Sequence, residues 1–244
     1  MTFITICGAA PATAQTAALE TSRCGSPQST ASLFTGTVTS LKQLPSRSSL
    51  GIMSIGTAAA LGLHAIDTRA TRAFSGQTQL RSTFESGAVV GGAPLQMGAA
   101  FASYAIGRAL HKPCVARVGA ELVQAQLLAQ VLTIGLKEAS RRSRPLGGGF
   151  SFPSGHTTMS FASATVLQQR FGWKAGVPAY AVATYVAASR VQMNRHYLSD
   201  VAFGAALGIV AGRTVSIGHG RHLLVTPIAT PSGAAAGFTW LGKQ

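Results

Sequence analysis

From about residue 50 to residue 216 the chain alternates long apolar stretches with short polar breaks, and this pattern limits the fold more than any other feature. Only 11% of the residues are charged and 47% are hydrophobic, so packed helices are expected to dominate. The pattern predicts helices over residues 50 to 66, 87 to 108, 117 to 138, 154 to 170, 175 to 191 and 196 to 214. The predicted fold class is therefore all-α, a six-helix bundle.

The segments on either side of the helices suggest the domain organisation. Residues 1 to 49 are interpreted as a signal-like start and a disordered linker, because an apolar run precedes Ala12-Thr13-Ala14 and a stretch rich in Ser, Thr, Gly and Gln follows. Residues 50 to 216 form the predicted helical domain. Residues 217 to 244 are predicted to form a tail or a short C-terminal β-hairpin around Pro231-Ser232-Gly233.

The helical stretches are long enough to raise the question of a membrane. A span needs about twenty mostly apolar residues, and the second stretch is uncharged from Ser86 to Gly107. The third stretch contains Glu121, and the sixth has only a dozen uncharged residues after Asp200. Membrane association is the prediction, the number of spans stays open, and an Ala-rich soluble bundle is the alternative.

The charged residues exclude several classes of function. A net charge of +14 comes without a basic run or interleaved aromatic residues, which argues against nucleic-acid binding. No two of the acidic residues are close in sequence, so neither a two-metal site nor a facing carboxylate pair is supplied. We therefore predict no metal and no cofactor. The six acids are Glu20, Asp67, Glu85, Glu121, Glu138 and Asp200.

Two short motifs suggest binding of an anion. The third predicted helix ends in Lys137-x6-Arg144-Pro145, and Pro145 can end the helix by forcing Arg144 out of helical geometry. The fourth predicted helix begins around Pro153-Ser154-Gly155-His156, with Pro at the first helical position and Ser at the cap. Free amides at a helix start bind anions, and Gly155 lets the backbone approach an oxyanion closely.

A third motif supplies a nucleophile. In Ser189-Arg190-x5-His196-x3-Asp200 the fifth helix is predicted to end at Arg190 and the sixth to begin with His196. Residues i and i+4 share a helix face, so Asp200 can hold one ring nitrogen of His196 and leave the other free. An ordinary helical His–Asp pair is the alternative interpretation. With alternating helices, all three motifs lie at one end of the bundle, where two arginines and a lysine suit a phosphoryl group.

Taken together, the three motifs resemble the signatures of the type-2 phosphatidic acid phosphatase and vanadium haloperoxidase superfamily. The match is in order and without substitution over residues 137 to 200. By resemblance, His196 is the nucleophile that forms a phosphohistidine, Asp200 orients it, and His156 is the general acid. The residues that the resemblance assigns to phosphate binding are Lys137, Arg144, Ser154, Gly155 and Arg190.

The expected function is that of a metal-independent phosphatase acting on a lipid phosphate or pyrophosphate, of the phosphatidic acid or polyprenyl diphosphate type. The expected location is a bacterial cell envelope, in association with the membrane, and no protein partner is predicted. The alternatives are a vanadium-dependent haloperoxidase, for which vanadate would be the cofactor, and a soluble periplasmic or secreted acid phosphatase. Asp67 is interpreted as a helix-terminal residue, and Arg141 and Arg142 as a solvated face.

Overall fold

The structure, a computed structural model, describes residues 29–217, 221–230 and 233–242, with side chains described for residues 29–216. Within these residues the chain forms a succession of helices joined by short connections. The helices are α1 (Thr30–Gln43), α2 (Arg47–His64), α3 (Asp67–Ser75), a 3-10 turn (Thr78–Leu80), α4 (Arg81–Glu85), α5 (Gly87–Val90), α6 (Ala93–Ala109), α7 (Pro113–Ser140), α8 (Gly155–Phe171), α9 (Trp173–Gln192) and α10 (Leu198–Ile217).

Helix α8 lies at the centre of the bundle. It packs against α7, α9 and α10, while α2 covers α10 and α6 covers α7. The core between α7, α8 and α10 consists of small and branched side chains, among them Leu128, Ala162 and Val215, all almost completely buried. Small residues let the three helices approach closely, and the burial of their apolar surface favours the compact arrangement.

Glycines make the contact between α8 and α10 especially close. A Cβ atom on Gly208 would lie 2.3 Å from the Thr158 carbonyl oxygen, and one on Gly212 would lie 2.6 Å from that of Ala162. The two helices therefore meet backbone to backbone, which no larger residue would allow at these positions. This close approach also joins their starts, where the Ser154 amide donates to the Asp200 carbonyl oxygen at 3.1 Å.

A tight loop connects α7 to α8. Helix α7 ends at Ser140 because Arg141 adopts a left-handed conformation with φ 46°, so the predicted role of Pro145 in ending the helix is wrong. The loop then folds back on itself, with the Arg144 amide donating to the Gly149 carbonyl oxygen at 3.3 Å. Gly149 has φ 114°, which favours glycine because side chains clash there.

The predicted all-α class is confirmed, but the predicted set of six helices is not. The structure adds α1, α3 and α4 to it, and it divides the predicted helix 87 to 108 into α5 and α6. The division occurs because Gly92 is extended, with ψ 144°, and Pro94 starts the new helix. A Cβ atom on the preceding Gly91 would lie 2.3 Å from a methyl group of Val186, so α9 also approaches the chain closely here.

Residues 30–43 differ from the disordered linker that the sequence predicted over this region. They form α1, in which Leu33 is 2% exposed and packs in a cluster with Tyr104 and Val123. The Gln124 side-chain amide also donates to the Ser32 carbonyl oxygen at 3.1 Å. The polar composition concealed this helix because tertiary packing stabilises it. The wider domain division, and the signal-like start at residues outside the described range, stay predictions.

Two strands follow the helices, β1 (Arg221–Thr230) and β2 (Gly233–Gly242). They pair antiparallel, with Thr230 opposite Gly233, in the region where the sequence suggested a tail or hairpin. The residues between the two strands lie outside the described residues.

Length and composition identify candidate membrane spans among the described helices. Two of them, Pro113–Ser140 and Leu198–Ser216, are long and apolar enough to cross a membrane. The number rises to four if each of two bent helix pairs forms one span: Arg47–His64 with Asp67–Ser75, and Thr78–Val90 with Ala93–Ala109. These candidates differ from the sequence-based choice, which relied mainly on the stretch that α5 and α6 now divide.

Candidate active site

A cavity of about 190 Å³ opens at the end of the bundle where α7 ends and α8 begins. Five of the eight residues predicted for the site line it directly, so the structure brings all three motifs together. The lining residues from the motifs are Lys137, Arg144, Gly155, His156 and His196. The other three, Ser154, Arg190 and Asp200, are buried behind this lining, each at most 5% exposed.

Lys137 and Arg144 share an anchor on the connecting loop. The Lys137 Nζ atom donates to the carbonyl oxygens of Phe150 at 2.9 Å and Ser151 at 3.2 Å, and Arg144 Nε donates to Phe150 at 3.1 Å. The terminal nitrogens of Arg144 have no hydrogen-bond partner among the described residues. Two cations are thus held beside the cavity, with guanidinium donors free for an anionic ligand.

The start of α8 provides backbone amides at the same place. Ser154 is the N-cap, as predicted, but Pro153 lies before the cap and not in the first helical position. The Ser154 hydroxyl accepts from Thr157 Oγ1 at 3.0 Å and makes no capping bond to the backbone. The first amides of the helix, beginning at Gly155, therefore lack intrahelical acceptors and suit an oxyanion.

His196 and Asp200 meet, although they do not share a helix as predicted. The helix α9 continues to Gln192 and α10 begins at Leu198, so His196 lies in the turn between them. The helix starts late because Asp200 Oδ2 accepts from the Tyr197 amide at 2.8 Å, as in a capping box. His196 Nδ1 lies 3.6 Å from Asp200 Oδ2, slightly beyond hydrogen-bond length, so the carboxylate faces this nitrogen and Nε2 is the nitrogen on the other side of the ring.

Two arginines shape the electrostatics around His156. Burial, together with the nearby groups Arg190, His196 and Arg144, lowers the pKa of His156 to about 4. Arg190 is 5% exposed and donates through Nη2 to Ser189 Oγ at 3.0 Å. Burial likewise lowers the pKa of His196, while Asp200 opposes the change. Both histidines are therefore neutral at neutral pH when no anion is bound.

Asp67 and Arg142 belong to this region, and the sequence analysis missed them. Arg142 donates through Nη1 to Asp200 Oδ1 at 2.8 Å and through Nη2 to Asp67 Oδ2 at 2.7 Å. Asp67 is the first residue of α3, as its helix-terminal interpretation implied, but it is also 2% exposed. The scarcity of acids was the available signal, because a chain with six carboxylates has few to place near an active site. The interpretation of Arg142 as part of a solvated face is wrong.

The described side chains include no group of three or more His, Cys, Asp or Glu residues that could hold a metal ion. Lys137 and Arg144 place positive charge at the cavity, where they can neutralise an anion directly, and Arg190 adds a third positive charge behind the lining.

Comparison with known proteins identifies this region. The family model described as PAP2 superfamily matches residues 120–222, a range that contains all three motifs. Residues 120–222 are therefore similar to the PAP2 superfamily. The resemblance inferred from the motifs is thereby confirmed.

Two named relatives are similar to part of this chain. The lipid A 1-phosphatase of Porphyromonas gingivalis is 37% identical over 100 residues, which are 38% of this chain and 22% of that protein. The decaprenylphosphoryl-5-phosphoribose phosphatase of Mycobacterium tuberculosis is 35% identical over 107 residues, which are 39% of this chain and 58% of the relative. The chain thus spans less than two thirds of the length of either relative.

Two crystal structures share the fold of this chain over most of its length. LpxE of Aquifex aeolicus superposes with a TM-score of 0.53 and 24% identity, over 63% of this chain and 96% of that one. A transmembrane PAP2-type phosphatidylglycerolphosphate phosphatase from Bacillus subtilis gives 0.51 and 19% identity, over 76% and 92%. At these identities the likeness concerns the fold alone.

Proposed function

We propose that this chain is a metal-independent phosphohydrolase that acts through a phosphohistidine on His196, on a lipid phosphate or pyrophosphate. The observation that carries the proposal is the cavity in which Lys137, Arg144, Gly155, His156 and His196 meet. It combines a neutral imidazole held by a carboxylate with cations and amides suited to a phosphoryl group. The named phosphatases among the relatives support the same chemistry.

The reaction follows from the atoms that face the cavity. The Nε2 lone pair of His196 attacks phosphorus while the bond from phosphorus to the leaving oxygen breaks, and His156 donates a proton to that oxygen. Water then attacks the phosphohistidine, His156 accepts its proton, and the nitrogen–phosphorus bond breaks to release inorganic phosphate. Lys137, Arg144 and Arg190 stabilise the negative charge on the phosphoryl oxygens in both steps.

Substrate binding favours the protonated form of His156, which takes up its proton from solvent. In the empty site the charges of Arg190 and Arg144 help to hold the pKa of His156 low. A bound phosphate places negative charge against these arginines and against His156 itself, which raises the pKa of the imidazole. The general acid is thus protonated when a substrate is present.

A groove next to the cavity supports a lipid as the substrate. It has a volume of about 290 Å³ and lies between α6, α7, α8 and α9. On three helices it begins about one turn or less beyond the cavity: the lining passes from Ala93 to Gln96, from Gln130 to Gln126 and from Met159 to Ser160. Further along, the groove is lined by Ala99, Ala100, Leu122, Leu167 and Val182. We assign it to the hydrocarbon chain of the substrate, in a membrane of the bacterial cell envelope.

The decisive experiment measures phosphate release with a chelator present throughout, from phosphatidic acid, a polyprenyl diphosphate and a soluble aryl phosphate. We expect His196→Ala to abolish release and to remove an acid-labile phosphoryl group from the protein, because it removes the nucleophile. His111→Gln is the matched control, since His111 is an exposed histidine in the connection from α6 to α7. Equal release by native protein and His196→Ala would reject the mechanism. Halide oxidation by the vanadate-loaded chain without phosphate release would support the haloperoxidase alternative.

A second experiment tests the groove. Ala99→Phe fills it from an exposed position on α6, whereas Ala102→Phe adds the same bulk at an exposed position of α6 outside the lining. Displacing two methylenes of a lipid chain costs about 1.6 kcal/mol, so we expect KM for phosphatidic acid to rise roughly tenfold in Ala99→Phe alone. The aryl phosphate should be hydrolysed equally by both variants. An equal rise in both variants would argue against the groove.

A further inference from the structure

A line of buried charges runs behind His196, away from the cavity. Asp200 lies next to the imidazole, Arg142 pairs with Asp200, and Asp67 pairs with the other arm of Arg142. The two bonds from Arg142 are 2.8 Å and 2.7 Å long, and both carboxylates are at most 2% exposed. Charges so deeply buried interact more strongly than exposed ones, because little water screens them.

Asp67 also fixes the start of α10 from outside that helix. Its Oδ1 atom accepts from the Ser199 amide at 2.9 Å, and its Oδ2 atom accepts from the Ser199 hydroxyl. Asp200 meanwhile accepts from the Tyr197 amide, so two carboxylates serve one helix N-terminus. Arg142 lies between them, with its Cζ atom 4.1 Å from the centre of the Tyr197 ring. The turn that carries His196 is therefore held on both sides.

The net charge of Asp67, Arg142 and Asp200 affects the protonation of His196. Arg142 alone would neutralise Asp200 and weaken the attraction between that carboxylate and the imidazole. Asp67 adds a second negative charge, so that the group formed by Asp67, Arg142 and Asp200 remains negative as a whole. A negative group favours the protonated imidazole and opposes the cations on the other side of the ring.

We propose that Asp67 and Arg142 are positioning residues that hold Asp200 against His196 and set the charge that His196 experiences. The inference rests on the proposed function, because it assigns these residues to the same nucleophile. Neither residue touches the cavity, and both act through Asp200. Other charged or titratable groups that face His196 from neighbouring elements are Lys137, Arg144 and His156. At the other end of the line, the exposed imidazole of His64 lies 3.5 Å from Asp67 Oδ2.

The direction in which each substitution moves the pKa of His196 tests this role. In Asp67→Asn a negative charge is lost, so we expect the pKa of His196 to fall by roughly half to one pH unit. In Arg142→Gln a positive charge is lost, so the pKa should rise by a similar amount. The pKa is measured by NMR of ¹⁵N-histidine-labelled full chain in detergent, with the signal assigned by its loss in His196→Ala. General loosening of the fold would move the pKa in the same direction in both variants.

Exposed neighbours provide the matched controls. Glu138→Gln and Arg141→Gln remove the same charges at the same end of the bundle, from side chains that water screens. They should leave the pKa of His196 unchanged. Arg142→Lys keeps the charge and loses the fork of two bonds, so it should keep the pKa while lowering kcat about tenfold with little change in KM. It also serves as the milder variant if Arg142→Gln does not fold.

The pH profile of phosphate release provides an independent measurement. The acid limb of kcat should move to lower pH in Asp67→Asn and to higher pH in Arg142→Gln, because the nucleophile must be neutral. An acid limb that stays at the same pH in both variants, or that moves in the same direction in both, would overturn the inference. Absence of phosphatase activity in the native chain would instead reject the proposed function, while the NMR shifts would still decide the role of Asp67 and Arg142.

Discussion

The two ends of the bundle each contain buried carboxylates paired with arginines, yet they differ in what surrounds them. At the end of α7 away from the cavity, Glu121 is fully buried and accepts from Arg117 Nε at 3.1 Å and from Arg170. Arg170 also donates to the Ser216 carbonyl oxygen at 3.3 Å. At the cavity end, Arg142 joins two carboxylates in the same manner.

The two ends differ in the further cations that lie beside the ion pairs and in the presence of a cavity. At the cavity end Lys137, Arg144 and Arg190 remain beside the ion pairs, and the first two line an opening. At the Glu121 end, Arg170 and Arg117 point to the carboxylate, and Glu121 lines neither the active-site cavity nor the groove beside it. A buried ion pair alone therefore does not mark a functional site. An excess of positive charge beside a cavity does mark such a site.

The functional difference between the two ends is tested most strongly by removing one arginine at each end. Arg144→Gln should lower kcat/KM about 100-fold to 1,000-fold, because it removes donors aimed at the charge that develops on phosphate. Arg170→Gln should leave kcat/KM per folded protein within about twofold. Steady-state phosphate release, normalised to folded protein, checks both. A large loss in Arg170→Gln would mean that the two ends are not functionally distinct.

The carboxylate at the Glu121 end should matter for stability. Glu121→Gln removes the buried charged acceptor shared by the partly buried side chains of Arg117 and Arg170, and removing one partner of a buried ion pair costs up to about 3–5 kcal/mol. Thermal unfolding of the full chain in detergent should show a clearly lowered Tm. The fraction of the Glu121→Gln variant that remains folded should keep the specific activity of the native chain. A Tm close to that of the native chain would show that water or other groups compensate the arginines.

Glycines on α10 allow a finer comparison along one helix. A Cβ atom on Gly212 would lie 2.6 Å from the Ala162 carbonyl oxygen, so Gly212→Ala should lower stability by about 1–3 kcal/mol without changing activity. A Cβ atom on Gly204 would lie 3.0 Å from the Ser154 carbonyl oxygen, a few tenths of an ångström too close. Gly204→Ala should displace the start of α8 and lower kcat severalfold. Gly98→Ala, which meets nothing within 4 Å, is the control for both measurements.

The smallest expected effect concerns the pH dependence of stability. The folded pKa of His156 is about 4, below its ordinary value of 6.5, so the unfolded chain binds more protons between these values. Stability should therefore fall as the pH decreases through this window, by about 1 kcal/mol between pH 7 and 5.5 from this group. Unfolding of the ligand-free protein should lose less stability over that range in His156→Gln. An identical loss would assign the pH dependence to other groups.

The sequence predicted the chemistry better than the geometry. The motif residues Lys137, Arg144, His156 and His196 were identified from spacing and resemblance, and they line one cavity. The helical His–Asp pair was wrong, because a capping interaction at Tyr197 delays α10 and leaves His196 in a turn. Short-range patterns predict helices well where apolar residues recur, but they do not predict which polar side chain will cap a helix.

By itself, the sequence determined the all-α class, the order of the motifs and the residue types available for phosphate chemistry, because these depend on local pattern and composition. Only the tertiary structure decided that Thr30–Gln43 is a helix, that Gly91 and Gly92 interrupt another, and that Asp67 lies beside Arg142. Asp67 and Arg142 are 75 positions apart. Their contact arises from the packing of helices, whose energy comes from surfaces that meet only in the folded chain.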